Sequence, residues 1–223
     1  MILLKIWWSL IARKNNNQEM DKFYLEKIFL FLLWYRDKSI ILIHGTGNVG
    51  HGFVQKNWLS KENKNQLRKN LDKYFQKIDD IFLWFTRVKI EDVLASRYDT
   101  YTNKKIICWW DISDNAKILS SDDAFAYFLH NKNIKEAYML TDIDGVLDID
   151  KKIIKHIDKK TFEHIYFRKK EWDVTGGMKY KIQKLFSNVS NTNKKVRIIN
   201  GKDTNNFKNI IERNTGIGTR IHI

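Results

Sequence analysis

The chain has no proline, a single cysteine in 223 residues, and no apolar run near the roughly 20 residues that cross a bilayer. Each absence excludes something. A lone Cys108 cannot form an internal disulfide, and it fits a reducing compartment. Lys5, Arg13 and Lys14 surround the short apolar opening, but no small-residue cleavage site follows it. A cytoplasmic location is therefore expected, with no membrane partner. The missing proline goes with an abundance of Lys, Asn and Ile, which reads as A- and T-rich coding. That bears on the formal charge of +14, from 40 Lys and Arg against 26 Asp and Glu. The lysines are spread along the chain, so nucleic acid is not the expected partner. A positive field also draws small phosphorylated molecules.

What is present is globular: 43% hydrophobic and 13% aromatic residues. The length suits one substantial core, and a single domain over residues 1–223 is expected. Buried-strand patterns at 2–6, 39–43, 105–108, 135–141, 195–199 and 219–223 alternate with helical patterns. The helices fall at 20–35, 60–83, 121–131, 176–187 and 203–213, while 162–167 reads as a short strand or connector. Alternation predicts an α/β fold, a three-layer sandwich with a mostly parallel central sheet. Ligands of such sheets bind beyond the carboxyl ends of the strands. The distinctive stretches WWS, HGTGNVGH, CWWD, TDIDG and NGKD all fall there.

HGTGNVGH places three glycines after a buried strand and exposes backbone N–H groups, which makes Gly45, Thr46, Gly47, Gly50 and His51 anion-site candidates. Lys5 lies in the first buried strand near its carboxyl end. Burying its ammonium is costly without an anionic partner. Asp142, Asp144 and Gly145 of DIDG read, taken alone, as a turn with Asp caps.

Together these stretches resemble the amino acid kinase family, and within it the isopentenyl phosphate kinase branch. LKI-WW-SLIARK resembles that branch's first strand, glycine pair, serine and downstream lysine. HGTGNVGH resembles its second glycine loop, which ends in a histidine. TDIDGVLD, DVTGGMKYKI and the NGKD…GIGTRI tail resemble its nucleotide-side motifs. The resemblance implies a substrate side over roughly 1–110 and a nucleotide side over roughly 111–223. It implies ATP-dependent phosphorylation of a small phosphate monoester, above all isopentenyl phosphate, with Mg2+ carried by the ATP. A homodimer is implied by resemblance only. Lys5 would stabilise the transferring phosphoryl group and His51 would bond the acceptor phosphate. Asp173 would organise the site, and Lys179 would reach the phosphates. Lys14, Asp142, Asp144, Gly145, Thr175, Gly176, Gly177, Gly201 and Lys202 would border the nucleotide, while Lys181 is given no role. Alternatives within the family are a fosfomycin-type phosphonate kinase and a uridylate kinase.

One departure is large. Trp7-Trp8 and Trp109-Trp110 stand where the family has glycine, and Trp172 precedes Asp173 in a loop suited to glycine. Trp34, Trp58 and Trp84 also fall at turns or segment ends. Bulky side chains here replace backbone that must approach phosphate. Most of the eight Trp are expected to be glycines encoded by UGA, a codon that some bacterial lineages read as glycine and a common variant code reads as tryptophan. The rival expectation is a catalytically inactive kinase-fold binding protein, with indoles packed over a dead site.

Overall fold

The computed structural model describes residues 1–12, 20–46, 61–88, 106–108, 111–112, 118–165, 177–190 and 193–223. Its framework is an eight-stranded sheet in the order β3-β4-β2-β1-β7-β9-β10-β8. The strands are β1 (Ile2–Ile6), β2 (Ile40–His44), β3 (Thr86–Val88), β4 (Ile106–Cys108), β7 (Glu136–Thr141), β8 (His156–Ile157), β9 (Lys195–Asn200) and β10 (Thr219–His222). The first six in that order run parallel; β10 pairs antiparallel with β9 and parallel with β8. A separate hairpin joins β5 (Asp111–Ile112) to β6 (Ile118–Leu119).

Strands buried on both faces must be apolar at nearly every position. β1 (ILLKI) and β2 (IILIH) are buried throughout. Alternation splits their side chains between two cores. Ile2, Leu4, Ile6, Ile40 and Leu42 enter one core with α1 (Trp8–Ile11), α2 (Lys22–Leu33), α3 (Lys61–Asp79) and α7 (Thr204–Arg213). Leu3, Ile41 and Ile43 enter the other, with α4 (Ser121–Asn131) and α6 (Gly177–Asn188). Helices on both faces of a mostly parallel sheet make the three-layer α/β sandwich expected from the alternation. The same parity sends Lys5 toward the α4 and α6 layer, and sends His44 toward α3.

Helix starts follow local chemistry. Ser120 caps α4 by accepting from Asp122 N, and Asp122 and Asp123 in the first turn favour the helix dipole. Of residues 162–167, expected as a strand or connector, 162–164 instead end α5 (Lys159–His164), and 166–167 lie outside the described residues. The helix is nucleated by a capping box: Thr161 N donates to Asp158 Oδ1 at 2.7 Å and Asp158 N to Thr161 Oγ1 at 2.8 Å.

Candidate active site

Three neighbouring parallel strands, β2, β1 and β7, end together, and the charged residues gather at that rim. Lys5, in register with Ile43 and Met139, is 3% exposed. Its ammonium donates to Asp122 Oδ1 in the first turn of α4. Burial lowers the Lys5 pKa; Asp122 opposes this, and the positive charge of Lys181 adds to it. Burial alone would raise the Asp122 carboxyl, yet Lys5, Lys181 and Lys184 hold it below the ordinary range. Next to the pair, Lys184 donates to Asp123 Oδ1 at 2.7 Å. One carboxylate thus faces two buried or half-buried ammonium groups, from β1 and from α6.

Sequence reasoning missed Asp122 and passed over Lys181. Met178, Ile182 and Leu185 face inward on α6, and Lys181 lies on their side of the helix. Lys179 sits two residues earlier, about 200° around the helix, and is exposed. The structure does not bring it to the cluster. The signal for Lys181 was therefore in the sequence as helical phase. Asp122 gave none beyond an ordinary acidic first turn.

Beyond Lys5, the chain leaves β1 at Trp7, whose backbone N–H donates to Leu140 O at 3.0 Å. The Trp7 indole covers the cluster: Lys181 Nζ lies 3.7 Å from its ring centroid. Its Nε1 is buried without a hydrogen-bond partner among the described residues. Trp8 turns the other way and stacks at a tilt on Tyr74, with ring centroids 5.2 Å apart. Ser9 then donates to Asp142 Oδ1 at 2.9 Å and ties the start of α1 to the end of β7.

β2 delivers the glycine loop. A Cβ at Gly45 would sit 3.6 Å from Ser121 Oγ, an ordinary contact, so packing does not demand glycine there. Thr46 is 1% exposed, and among the described residues its hydroxyl has no partner. The preceding His44 is fully buried. Burial, and then Arg87, push its pKa down to about 3.

On the other side of β1, Asp144 accepts from Asn200 Nδ2 at 3.0 Å. Gly145 has φ +153°, and a Cβ there would lie 2.8 Å from Thr219 Oγ1. A Cβ on Gly201 would lie 2.5 Å from Tyr24 Oη and 2.6 Å from Leu10 Cδ1. Both glycines thus have a structural requirement of their own. Lys202 is exposed, and its carbonyl accepts from Lys27 Nζ at 3.0 Å. Gly177 begins α6. Lys14, Gly47, Gly50, His51, Asp173, Thr175 and Gly176 lie outside the described residues, as do Trp58, Trp109, Trp110 and Trp172. Among the described residues, no three His, Cys, Asp or Glu side chains group as a metal site would need.

The comparisons with known proteins agree with this fold. The sequence model of the amino acid kinase family matches residues 90–200. The isopentenyl phosphate kinase of Methanocaldococcus jannaschii is 28% identical over 250 residues, covering 93% of each chain. A T. acidophilum isopentenyl phosphate kinase in a product complex superposes with a TM-score of 0.74 at 20% identity, covering 99% of both chains. The UMP kinase of Ureaplasma parvum, 11% identical, shares the fold with a TM-score of 0.69, covering 100% of this chain and 99% of that one. Over residues 90–200 the sequence is similar to the amino acid kinase family, and the fold is the one that solved isopentenyl phosphate and UMP kinases share.

Proposed function

We propose that the chain transfers the terminal phosphoryl group of ATP to the phosphate of isopentenyl phosphate, giving isopentenyl diphosphate and ADP. The observation that carries this reading is the Lys5–Asp122–Lys181 cluster at the rim where β2 opens into a glycine loop. An acceptor phosphate oxygen attacks the γ-phosphorus. The bond from that phosphorus to the β,γ-bridging oxygen breaks, and its electron pair leaves with ADP. The acceptor oxygen is already ionised, so no strong base is needed. Two anions must instead be held in line against their repulsion. Lys5 and Lys181 would supply positive charge where negative charge accumulates in transfer; Asp122 holds the Lys5 ammonium by a hydrogen bond and interacts with Lys181 through charge.

The loop from Gly45 through His51 would hold the acceptor phosphate. The turns at Asp142–Gly145 and Gly201–Lys202 would border the nucleotide, with Lys14 and the segment Asp173–Gly177. Asp142 and Asp144 already accept from Ser9 and Asn200. Magnesium is therefore assigned to the ATP phosphates, and no step is derived through a protein-held ion. Among the described residues, no helix is long and apolar enough to cross a membrane.

One observation favours a second reading. With the Trp7 indole over Lys181, the chain as written has an aromatic ring where phosphate belongs. An inactive kinase-fold binding protein would look like this. The two readings separate in one assay: ATP turnover with isopentenyl phosphate, measured for the chain as written and for a version with glycine at all eight Trp. Turnover in the glycine version supports the kinase. No turnover in either version, with any phosphate or phosphonate acceptor, overturns it.

A further inference from the structure

His44 carries out no step of the transfer just described, yet its surroundings are unusually well defined. It ends β2, one residue before the glycine loop, and both ring nitrogens are engaged. Nδ1 lies 3.2 Å from Gly45 O, and Nε2 lies 3.4 Å from Arg87 Nη1. A carbonyl only accepts and a guanidinium only donates. Nδ1 therefore carries the proton and Nε2 is bare, so the ring is neutral with its tautomer fixed. Full burial beside a cation keeps it so.

Arg87 is anchored in turn. Its Nε donates to Asp79 Oδ1 at 2.7 Å, its Nη2 to Phe75 O at 3.4 Å, and its guanidinium carbon lies 4.9 Å from the Phe75 ring centroid. The His44 ring meets the same Phe75 edge-on, with centroids 5.2 Å apart. A rigid chain thus runs from α3 through Arg87 on β3 to the last residue of β2.

The consequence falls on the next peptide. A trans peptide is planar, with its C=O and N–H pointing in opposite directions. Turning the Gly45 carbonyl back onto the imidazole sends the Thr46 N–H the other way. It also removes a partial negative charge from the wall of an anion site. The neighbouring Thr46 hydroxyl, buried and without a partner among the described residues, is a second donor held next to that peptide.

We propose that His44, clamped by Arg87, is a positioning residue that fixes the first peptide of the glycine loop for binding the anionic head of the acceptor. This rests on the assignment of that loop to the acceptor phosphate. The ring touches neither substrate; it acts through the Gly45 peptide and the Thr46 donors.

The test compares His44→Asn with His44→Leu in the glycine version of the protein. Asn can place an amide near the Nδ1 position and still donate to the Gly45 carbonyl; Leu fills the volume but cannot donate. His44→Leu is expected to raise the KM for isopentenyl phosphate at least tenfold, with the KM for ATP within twofold of the parent. His44→Asn should recover most of that loss, and Arg87→Met should move the acceptor KM in the same direction by less. Calorimetric binding of inorganic phosphate needs no turnover. It should weaken at least tenfold in His44→Leu and recover in His44→Asn. If the parent turns over no acceptor, the functional reading fails, and the phosphate titration still decides the role of His44. An acceptor KM and phosphate affinity unchanged in His44→Leu would overturn the proposal. So would equal losses for ATP and acceptor, or an Asn variant no better than Leu.

Discussion

Trp7 offers the sharpest perturbation. Its ring centroid lies 3.7 Å from Lys181 Nζ, close enough for a direct cation–π contact over an ammonium whose charge also acts on Asp122. A desolvated contact of this kind is worth about 2 kcal/mol, and an incoming phosphate must give that up to engage Lys181. At 1.36 kcal/mol per decade this corresponds to roughly 30-fold in kcat/KM. The indole also keeps phosphate from the backbone at the end of β1. The loss of one well-placed anion donor typically costs about 100-fold or more in kcat. Trp7→Gly is therefore expected to raise kcat/KM for ATP at least 30-fold, and more when Trp8 is also glycine. The fold should tolerate the Trp7 change, because Trp8, and not Trp7, packs against the large core beside α2 and α3. The assay is coupled ADP release with isopentenyl phosphate, with thermal unfolding run in parallel. A folded Trp7→Gly protein with unchanged or lower turnover would refute the reasoning, and UGG codons at Trp7 and Trp8 would remove the UGA explanation for those two residues.

Other perturbations follow from the same structure. Asp122→Asn leaves the Lys5 ammonium buried without its carboxylate, a change costing about 3–5 kcal/mol. The midpoint of thermal unfolding should fall by on the order of 10 °C for a chain of this size; a shift under about 2 °C would count against the buried ion pair. His44 is held neutral down to about pH 3, while an unfolded histidine protonates near about 6.5. Between those values the unfolded state binds a proton that the folded state does not. Stability is thus intact above about pH 6.5 and is lost on acidification, by up to about 1.4 kcal/mol per pH unit from this residue. Urea titrations at stepped pH should show a shallower acid slope for His44→Asn. Gly201→Ala would place a methyl carbon 2.5 Å from Tyr24 Oη and 2.6 Å from Leu10 Cδ1. The overpacking should lower stability by about 1–3 kcal/mol in the same urea assay.

The parallel core of the sheet was legible because β1, β2 and β7 are runs of five or six mostly apolar residues between turn signals, and β9 carries Val196, Ile198 and Ile199 before its turn. α4 falls at the expected residues 121–131, since Ser120 caps a helix with two acidic residues in its first turn and an apolar run after them. β3 and β8 were not legible, because two or three residues cannot establish a period of two. The site divides in the same way. A lysine within an apolar strand stands out, so Lys5 was legible as a candidate. Asp122 was hidden because a carboxylate in the first turn of a helix has a sufficient local explanation in the dipole. Its pairing with Lys5 spans 117 residues of sequence and exists only once α4 packs against β1. Lys181 was readable in principle, since Met178, Ile182 and Leu185 fix the inward face of α6. Weighting the DVTGGM motif over that phase favoured the exposed Lys179 instead.

The most direct measurement is the rate of ATP-dependent isopentenyl diphosphate formation, followed by phosphorus NMR in the glycine version, for Lys181→Ala beside Lys179→Ala. Convergence of Lys5, Asp122 and Lys181 on two phosphates predicts a loss of at least 100-fold in kcat for Lys181→Ala and less than twofold for Lys179→Ala. The account is contradicted if Lys181→Ala keeps the parent rate, or if the loss falls on Lys179→Ala.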